Sequence, residues 1–215
     1  MRLAVFGASG ATGRHLVELA LEAGHEVSAF VRDAGGPHPP HDRLRLVVGR
    51  LDQQEAMRSV IAGADVVVSV LGMRSSKAEA ICGPAMRSIL PMMKTLGVRR
   101  LIALSAYGAS ETRGDSLLIR LVRRIIAAKM RDKDDMEVVV RASGLDWTLV
   151  RPAVLTNGRA SGHYRAGVAI KPAVSAHLSR ADLAAFMLSE AEDARWMRQA
   201  PVVFSWPRAP AAREA

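Results

Sequence analysis

Three glycines near the start of the chain have the spacing of a phosphate-binding turn. Gly7, Gly10 and Gly13 follow a short apolar run that ends at Phe6, and a helical pattern follows them as far as Ala23. In such a unit the first glycine permits a tight turn, the second lets a pyrophosphate approach, and the third lets the helix pack closely. The first N–H groups of the helix would face the phosphates. The predicted binding residues of this turn are Gly7, Ser9, Gly10, Ala11, Thr12 and Gly13.

Arg32 follows the second predicted strand, where the side chain distinguishes the two nicotinamide dinucleotides. An acidic residue there would bind a ribose 2′-hydroxyl, whereas the planar guanidinium of arginine suits a 2′-phosphate. The next residue, Asp33, could serve a 2′-hydroxyl instead. We therefore expect NADP(H) as the preferred cofactor, with NAD(H) possible.

Two hydroxyl groups follow the fifth predicted strand. Ser105 and Tyr107 are two residues apart, so in an extended backbone their side chains point to the same side. Either could donate a hydrogen bond or a proton to a substrate heteroatom beside a nicotinamide ring. The alternatives are that Ser105 satisfies local backbone groups and that Tyr107 is an apolar lining.

Lys133 precedes the sixth predicted strand and is the third candidate catalytic residue. Its ammonium group could reach the ribose of the nicotinamide. Glu137 lies four residues further on, so an ordinary ion pair on the helix surface is the alternative. Position in the sequence does not decide between the two.

These residues come together only if strands and helices alternate along the chain. The pattern predicts strands over 1–6, 26–31, 45–49, 65–71, 99–104, 146–150 and 201–205. It predicts helices over 15–23, 53–62, 77–96, 116–143 with a break near 131–135, and 179–192, with 156–176 irregular around one short strand. Such alternation favours a Rossmann-like, doubly wound α/β fold with a parallel sheet and helices on both faces. Ligands would bind at the carboxyl ends of the strands.

Length and composition favour a soluble, cytoplasmic α/β protein. The chain has 215 residues, so we expect one domain over 1–206 with a small C-terminal substrate-side region, and a disordered tail over 207–215. The fold pattern begins at Met1, which leaves no signal peptide, and no apolar run could span a membrane, so we expect no membrane partner. The single cysteine excludes an intrachain disulfide and a multi-cysteine metal site, and we expect no metal.

The net charge of +9 includes a local basic cluster. One interpretation is a nucleic-acid surface, and the other is a solvated helix face. Aromatic residues do not interleave with the cluster, so nucleic acid is the less favoured partner. The cluster comprises Arg120, Arg123, Arg124, Lys129, Arg131 and Lys133.

Taken together, segments 7–13, 143–152 and 179–184 resemble the atypical short-chain dehydrogenase/reductases. The chain is most similar in appearance to the biliverdin-IXβ reductase/flavin reductase group, followed by the NmrA-like NAD(P)-binding proteins. The resemblance implies NADPH along the glycine turn and Arg32, with Ser105 near the point of hydride transfer and Lys133 as a functional lysine. The further contacts that we expect are Arg50, Leu51, Leu71, Gly72, Arg74, Ser105, Pro152, Ala153 and Val154.

Three departures separate the chain from these relatives. The Tyr-x-x-x-Lys pair of typical family members is absent, and Arg50 stands where relatives have an aspartate. Ala153 stands where flavin reductases carry a histidine, which argues against a specific biliverdin or flavin activity. We expect an NADPH-dependent reductase that transfers hydride to a small conjugated or carbonyl substrate, with a free flavin among the candidates. The alternatives are a non-catalytic NADP(H) sensor and an isomerase or epimerase on the same fold.

Overall fold

The computed structural model describes residues 1–36 and 38–206 and contains ten strands and six α-helices within them. The strands are β1 (Arg2–Phe6), β2 (Glu26–Val31), β3 (Leu44–Val48), β4 (Val66–Ser69), β5 (Arg100–Leu104), β6 (Asp146–Pro152), β7 (Val154–Thr156), β8 (Tyr164–Gly167), β9 (His177–Ser179) and β10 (Val202–Ser205). The helices are α1 (Ala11–Glu22), α2 (Gln54–Ile61), α3 (Cys82–Thr95), α4 (Leu117–Ile125), α5 (Ala127–Arg141) and α6 (Arg180–Asp193).

Eight strands form one sheet in the order β3-β2-β1-β4-β5-β6-β10-β8. Every neighbouring pair is parallel except β10 and β8, which are antiparallel. The strands β7 and β9 form a separate parallel pair. The strand order reverses between β1 and β4, which opens the crevice where open α/β sheets bind ligands. The prediction of a doubly wound Rossmann-like fold is confirmed.

Both faces of the sheet are buried under helices. One core lies under α2, α3 and α5, and the other lies under α1 and α6. Strand β4 serves both cores, because Val67 packs in the first while Val66 and Val68 pack in the second. This explains the unbroken run of β-branched residues in that strand.

Three predicted helices have different bounds in the structure, and the first, predicted over 15–23, begins four residues earlier, at Ala11. The helix predicted over 77–96 begins only at Cys82, because the Asp132 carboxylate accepts the main-chain N–H groups of Ile81, Cys82 and Gly83 at 3.0–3.2 Å. The helix predicted over 116–143 is interrupted at Ile126 rather than near 131–135. The charged stretch near 131–135 stays helical, and its residues Asp132–Asp135 bond to groups outside α5.

The C-terminal third follows the prediction except that the paired strands β7 and β9 were not predicted. Ser179 caps α6, and its hydroxyl oxygen accepts the N–H of Asp182 at 2.9 Å. The segment predicted to be irregular, 156–176, contains the short strand β8. The predicted disordered tail, 207–215, lies outside the described residues. No helix within the described ranges has both the length and the apolar character needed to cross a membrane.

Candidate functional site

The glycine turn between β1 and α1 leaves no room for larger residues. Gly7 has a φ of +85°, which glycine adopts without strain, and its carbonyl accepts the N–H of Gly10 at 2.9 Å. A Cβ atom on Gly13 would lie 2.2 Å from the Gly7 oxygen and 2.7 Å from the Ala8 oxygen. The third glycine is therefore required for the first turn of α1 to lie against the loop.

The N-terminus of α1 is left open for an anion. Its N-cap residue is Gly10, and neither a side-chain cap nor an acidic residue in the first turn occupies its N–H groups in the described structure. Ser9, Gly10 and Ala11 are exposed, while Thr12 and Gly13 are buried. By contrast, the Asp132 carboxylate fills the N-terminus of α3. Unpaired N–H groups and the positive end of the helix dipole suit a phosphate at α1.

Ser105 belongs to a buried network at the carboxyl end of β5. Its hydroxyl donates to Glu137 Oε1 at 2.5 Å, so it does not serve local backbone. Arg151 Nε donates to the same oxygen at 2.8 Å, and its Nη2 donates to Oε2. The side chains of Glu137 and Arg151 are 0% and 1% exposed. The Arg151 guanidinium extends to Glu111 Oε2 at 2.7 Å.

The charges in this network hold each other in the ionised form. Burial favours the neutral acid at Glu137, but the hydrogen bonds and charge of Arg151 outweigh it and hold the pKa of Glu137 below its usual value. The hydrogen bond from Arg151 also lowers the pKa of Glu111 to about 2. Glu137 is therefore an ionised carboxylate that accepts a hydrogen bond from the Ser105 hydroxyl, and it is not a proton donor.

Lys133 is buried rather than part of a surface pair with Glu137. Its Nζ donates to the carbonyl of Leu71 at 2.9 Å and to the carbonyl of Leu104. These carbonyls follow β4 and end β5, so the ammonium group bridges the carboxyl ends of two central strands. The alternative of an ordinary i, i+4 surface pair is wrong, because Lys133 bonds to main-chain carbonyls and Glu137 bonds to Ser105 and Arg151. An ammonium group has three donors, and this arrangement directs two of them to backbone.

Tyr107 is also hydrogen-bonded rather than only an apolar lining. Its hydroxyl donates to Asp115 Oδ2 at 2.8 Å, and Lys171 Nζ lies 3.6 Å from the other Asp115 oxygen. Burial, the hydrogen bond to Asp115 and its negative charge raise the pKa of Tyr107 to about 12. The phenol is therefore a weak acid at neutral pH.

The residues predicted to contact the adenosine half lie along one exposed edge. Arg32 is exposed, and one carboxylate oxygen of Asp33 accepts the N–H of Gly35 at 2.9 Å. Arg50 is exposed beside Asp52, with 3.4 Å between Nε and Oδ1. The remaining predicted contacts divide by burial: Gly72, Arg74 and Val154 are exposed, Leu51, Leu71 and Ala153 are half-buried, and Pro152 is buried.

The roles of Glu137, Arg151 and Asp132 were not predicted from the sequence. One available signal was the buried face of α5, where Met130, Lys133, Glu137 and Val140 recur at helical spacing. Two charged residues on an otherwise apolar stripe indicate buried partners. The identity of those partners could not be predicted, because Arg151 and Asp132 form hydrogen bonds with residues that are distant in the sequence.

A cavity of about 580 Å³ lies beside α1 and away from Ser105 and Lys133. Its walls include Ala11, Arg14 and His38, so it adjoins the first turn of α1. Burial lowers the pKa of His38, which favours its neutral form. The cavity therefore lies along the side of α1, from Ala11 to Glu22, and is separate from the Ser105 cluster.

Comparisons with known proteins agree with this geometry. A family model described as NAD(P)H-binding matches residues 7–194. The UPF0659 protein C216.03 of Schizosaccharomyces pombe is 27% identical over 213 residues, covering 88% of this chain and 83% of that protein.

Two solved structures share the fold over nearly their whole length. The anaerobillin reductase ChuY of Escherichia coli O157:H7 is 20% identical with a TM-score of 0.80, covering 98% of this chain and 100% of ChuY. A short-chain dehydrogenase/reductase of Veillonella parvula, in complex with NADP, is 19% identical with a TM-score of 0.81, covering 96% and 94%. These two structures confirm the Rossmann-like fold that the motifs predicted. With the glycine turn, the open helix terminus and the family match over residues 7–194 in agreement, the chain belongs to the NAD(P)H-binding family.

Proposed function

We propose that the protein is an NADPH-dependent reductase that transfers hydride to a small conjugated or carbonyl substrate. The observation that carries the proposal is the cluster of Lys133, Ser105 and Glu137 at the carboxyl ends of β4 and β5. This cluster lies on the same edge of the sheet as the open N-terminus of α1. A dinucleotide with its pyrophosphate on the glycine turn would reach that cluster with its nicotinamide end.

The residues present fit such a cofactor. The N-terminus of α1 would hold the pyrophosphate, because it has no side-chain cap and its exposed residues Ser9, Gly10 and Ala11 are accessible to a ligand. Arg32 would pair with a 2′-phosphate, and the hydrogen bond from Gly35 to Asp33 makes that acid less available to a 2′-hydroxyl. Lys133 would direct its third N–H to a ribose hydroxyl. When bound, the nicotinamide supplies the hydride.

Ser105 would orient the substrate while Glu137 fixes its side chain. The hydroxyl hydrogen of Ser105 points at the ionised carboxylate of Glu137. Ser105 can therefore donate a hydrogen bond to a substrate only if its hydroxyl turns away from Glu137. Orientation of the two reactants against each other would then supply most of the rate. Ala153 offers no imidazole to the substrate side, which favours compact, weakly polar substrates over free flavin.

The test is NADPH oxidation, followed by absorbance, with flavins, quinones, tetrapyrroles and enones. We expect turnover with at least one class, and a Ser105→Ala variant should lower kcat by roughly 10²–10⁴ while the NADPH Kd stays near that of the wild type. Ser189→Ala, which removes an exposed hydroxyl on α6, is the matched control. No oxidation in any class, or unchanged kcat in Ser105→Ala, would contradict the proposal.

A second candidate is a non-catalytic NADP(H) sensor. The favouring observation is that the Ser105 and Tyr107 hydroxyls both donate their hydrogen bonds to carboxylates, those of Glu137 and Asp115. A sensor would bind NADPH with the affinity expected for an open glycine turn but would show no substrate-dependent oxidation. The same screen therefore separates the two candidates.

A further inference from the structure

Helix α4 presents an unusual aliphatic surface. It contains no buried residue within its described length, and Leu117, Leu121 and Ile125 are 80%, 56% and 71% exposed. Leu118 and Val122 are exposed as well. A contiguous row of open aliphatic side chains is uncommon on a monomer and marks an interaction surface.

The apolar row points away from the body of the protein. Ser116 caps the helix, and the Arg123 guanidinium attaches it to Asp134 at 2.6 Å and to the carbonyl of Gly108. Ile119 would contact a Cβ on Gly108 at 3.3 Å, so it lies on the same attached side as Arg123. At 3.6 residues per turn, the five exposed aliphatic residues share the opposite side.

The surroundings of this row are basic. Between Ser116 and Arg131 the sequence contains five basic and no acidic residues. Arg120 and Arg124 are exposed, one turn apart, and flank the aliphatic row. The expectation of a solvated basic face is thus wrong for two members of the cluster, because Lys133 is buried and Arg123 is paired with Asp134.

Nearby acidic groups do not neutralise this surface. Glu111 pairs with Arg151, and Asp115 accepts the Tyr107 hydroxyl. A second copy of the chain would therefore bring like charges together. The sequence also has no aromatic residue between Gly108 and Asp146, whereas protein interfaces favour aromatic anchors. Aliphatic residues flanked by arginines suit a lipid surface that carries negative charge.

We propose that α4 docks the protein on the surface of an anionic lipid bilayer, with Leu117, Leu121 and Ile125 entering the interface and Arg120 and Arg124 contacting the headgroups. A helix that lies in the interface needs no membrane-spanning length, so the absence of an apolar run long enough to cross does not bear on it. This docking is independent of the reductase proposal.

The experiment is sedimentation of the full chain with vesicles of phosphatidylcholine alone or of equal parts phosphatidylcholine and phosphatidylserine. We expect the affinity for the anionic vesicles to be about tenfold or more above that for phosphatidylcholine vesicles. Each basic residue near an anionic surface adds about a factor of five in affinity. High salt should release the protein.

Two variants test the two halves of the surface. Leu121→Glu should lower anionic-vesicle binding by about tenfold or more, and Arg120→Glu with Arg124→Glu should remove the preference for anionic vesicles. Val48→Glu, at an exposed aliphatic position on the edge strand β3, is the matched control and should bind like the wild type. Circular dichroism checks that each variant is folded.

Three outcomes would overturn the proposal. One is equal binding, or no binding, to the two vesicle types by the folded wild-type chain. Another is unchanged anionic binding by both α4 variants. The third is a dimer in light scattering that Leu121→Glu converts to a monomer without vesicle binding, which would assign the surface to a second copy of the chain.

Discussion

At the scale of single residues, the behaviour of Ser105 depends on the charged groups behind it. Glu137 and Arg151 are almost fully buried and neutralise each other through two hydrogen bonds. Removing one partner of such a pair leaves a buried charge without compensation, which typically costs about 3–5 kcal/mol. The pair therefore ties the position of the Ser105 hydroxyl to the stability of the core.

Replacing Arg32 with glutamate tests the predicted cofactor preference. The variant loses a charge-assisted hydrogen bond of about 1.5–3 kcal/mol from the guanidinium to the 2′-phosphate, and its carboxylate repels that phosphate. The Kd of NADPH should therefore rise by roughly tenfold to a hundredfold or more. The Kd of NADH should change much less, because it has no 2′-phosphate. Fluorescence titration measures both constants, with Arg58→Glu on α2 as the control. Equal weakening of both cofactors would remove Arg32 from the site.

At the scale of elements, the N-termini of α1 and α3 differ in whether their main-chain N–H groups are free to bind a ligand. Helix α3 is closed by the Asp132 carboxylate from α5, whereas α1 begins at glycines without a side-chain cap in the described structure. The acid on α5 also fixes where α3 starts and joins the two helices. The fold thus leaves α1 open to an anionic ligand and uses the α3 terminus for its own stability.

A Gly13→Ala variant should damage both the fold and the binding turn. Its Cβ would collide with main-chain oxygens of Gly7 and Ala8, which cannot move as a flexible side chain does. We expect a loss of about 1–3 kcal/mol in the free energy of unfolding, measured with urea, and a higher Kd for NADPH. Gly114→Ala adds the same methyl group where the structure has no atom within 4 Å, and should change neither value appreciably. Wild-type stability in Gly13→Ala would show that the turn is less constrained than the contacts indicate.

At the scale of the whole molecule, local patterns predicted more of the fold than of the polar network. Apolar periodicity and turn glycines were sufficient to predict the parallel sheet and the Gly7–Gly13 turn. They placed the helix break wrongly, because Asp132 and Lys133 have tertiary partners that a single sequence does not reveal. Ser105 was identified from its place after β5, but its partner Glu137 is 32 residues away and was not predicted.

The acid stability of the whole chain should reflect Glu111. Arg151 lowers its pKa from 4.5 to about 2, so its contribution is fully present above pH 4.5 and is lost as the pH falls toward 2. Glu111→Gln should be less stable than the wild type at neutral pH but should lose stability less steeply across that interval. The pKa of Glu137 is also lowered, so part of the slope should remain. Urea unfolding at a series of pH values measures the slopes, with Glu55→Gln as the control. Parallel curves for Glu111→Gln and the wild type would contradict the assignment.

The closed terminus of α3 has a consequence for the reactivity of the only cysteine. Cys82 is the first residue of that helix, its main-chain N–H donates to Asp132, and burial raises the pKa of its thiol to about 11. In the folded protein the thiol is therefore neutral, inaccessible and a poor nucleophile. An alkylating reagent can reach the buried thiol only when the structure around the first turn of α3 opens, so the rate of its modification reports how often that turn opens.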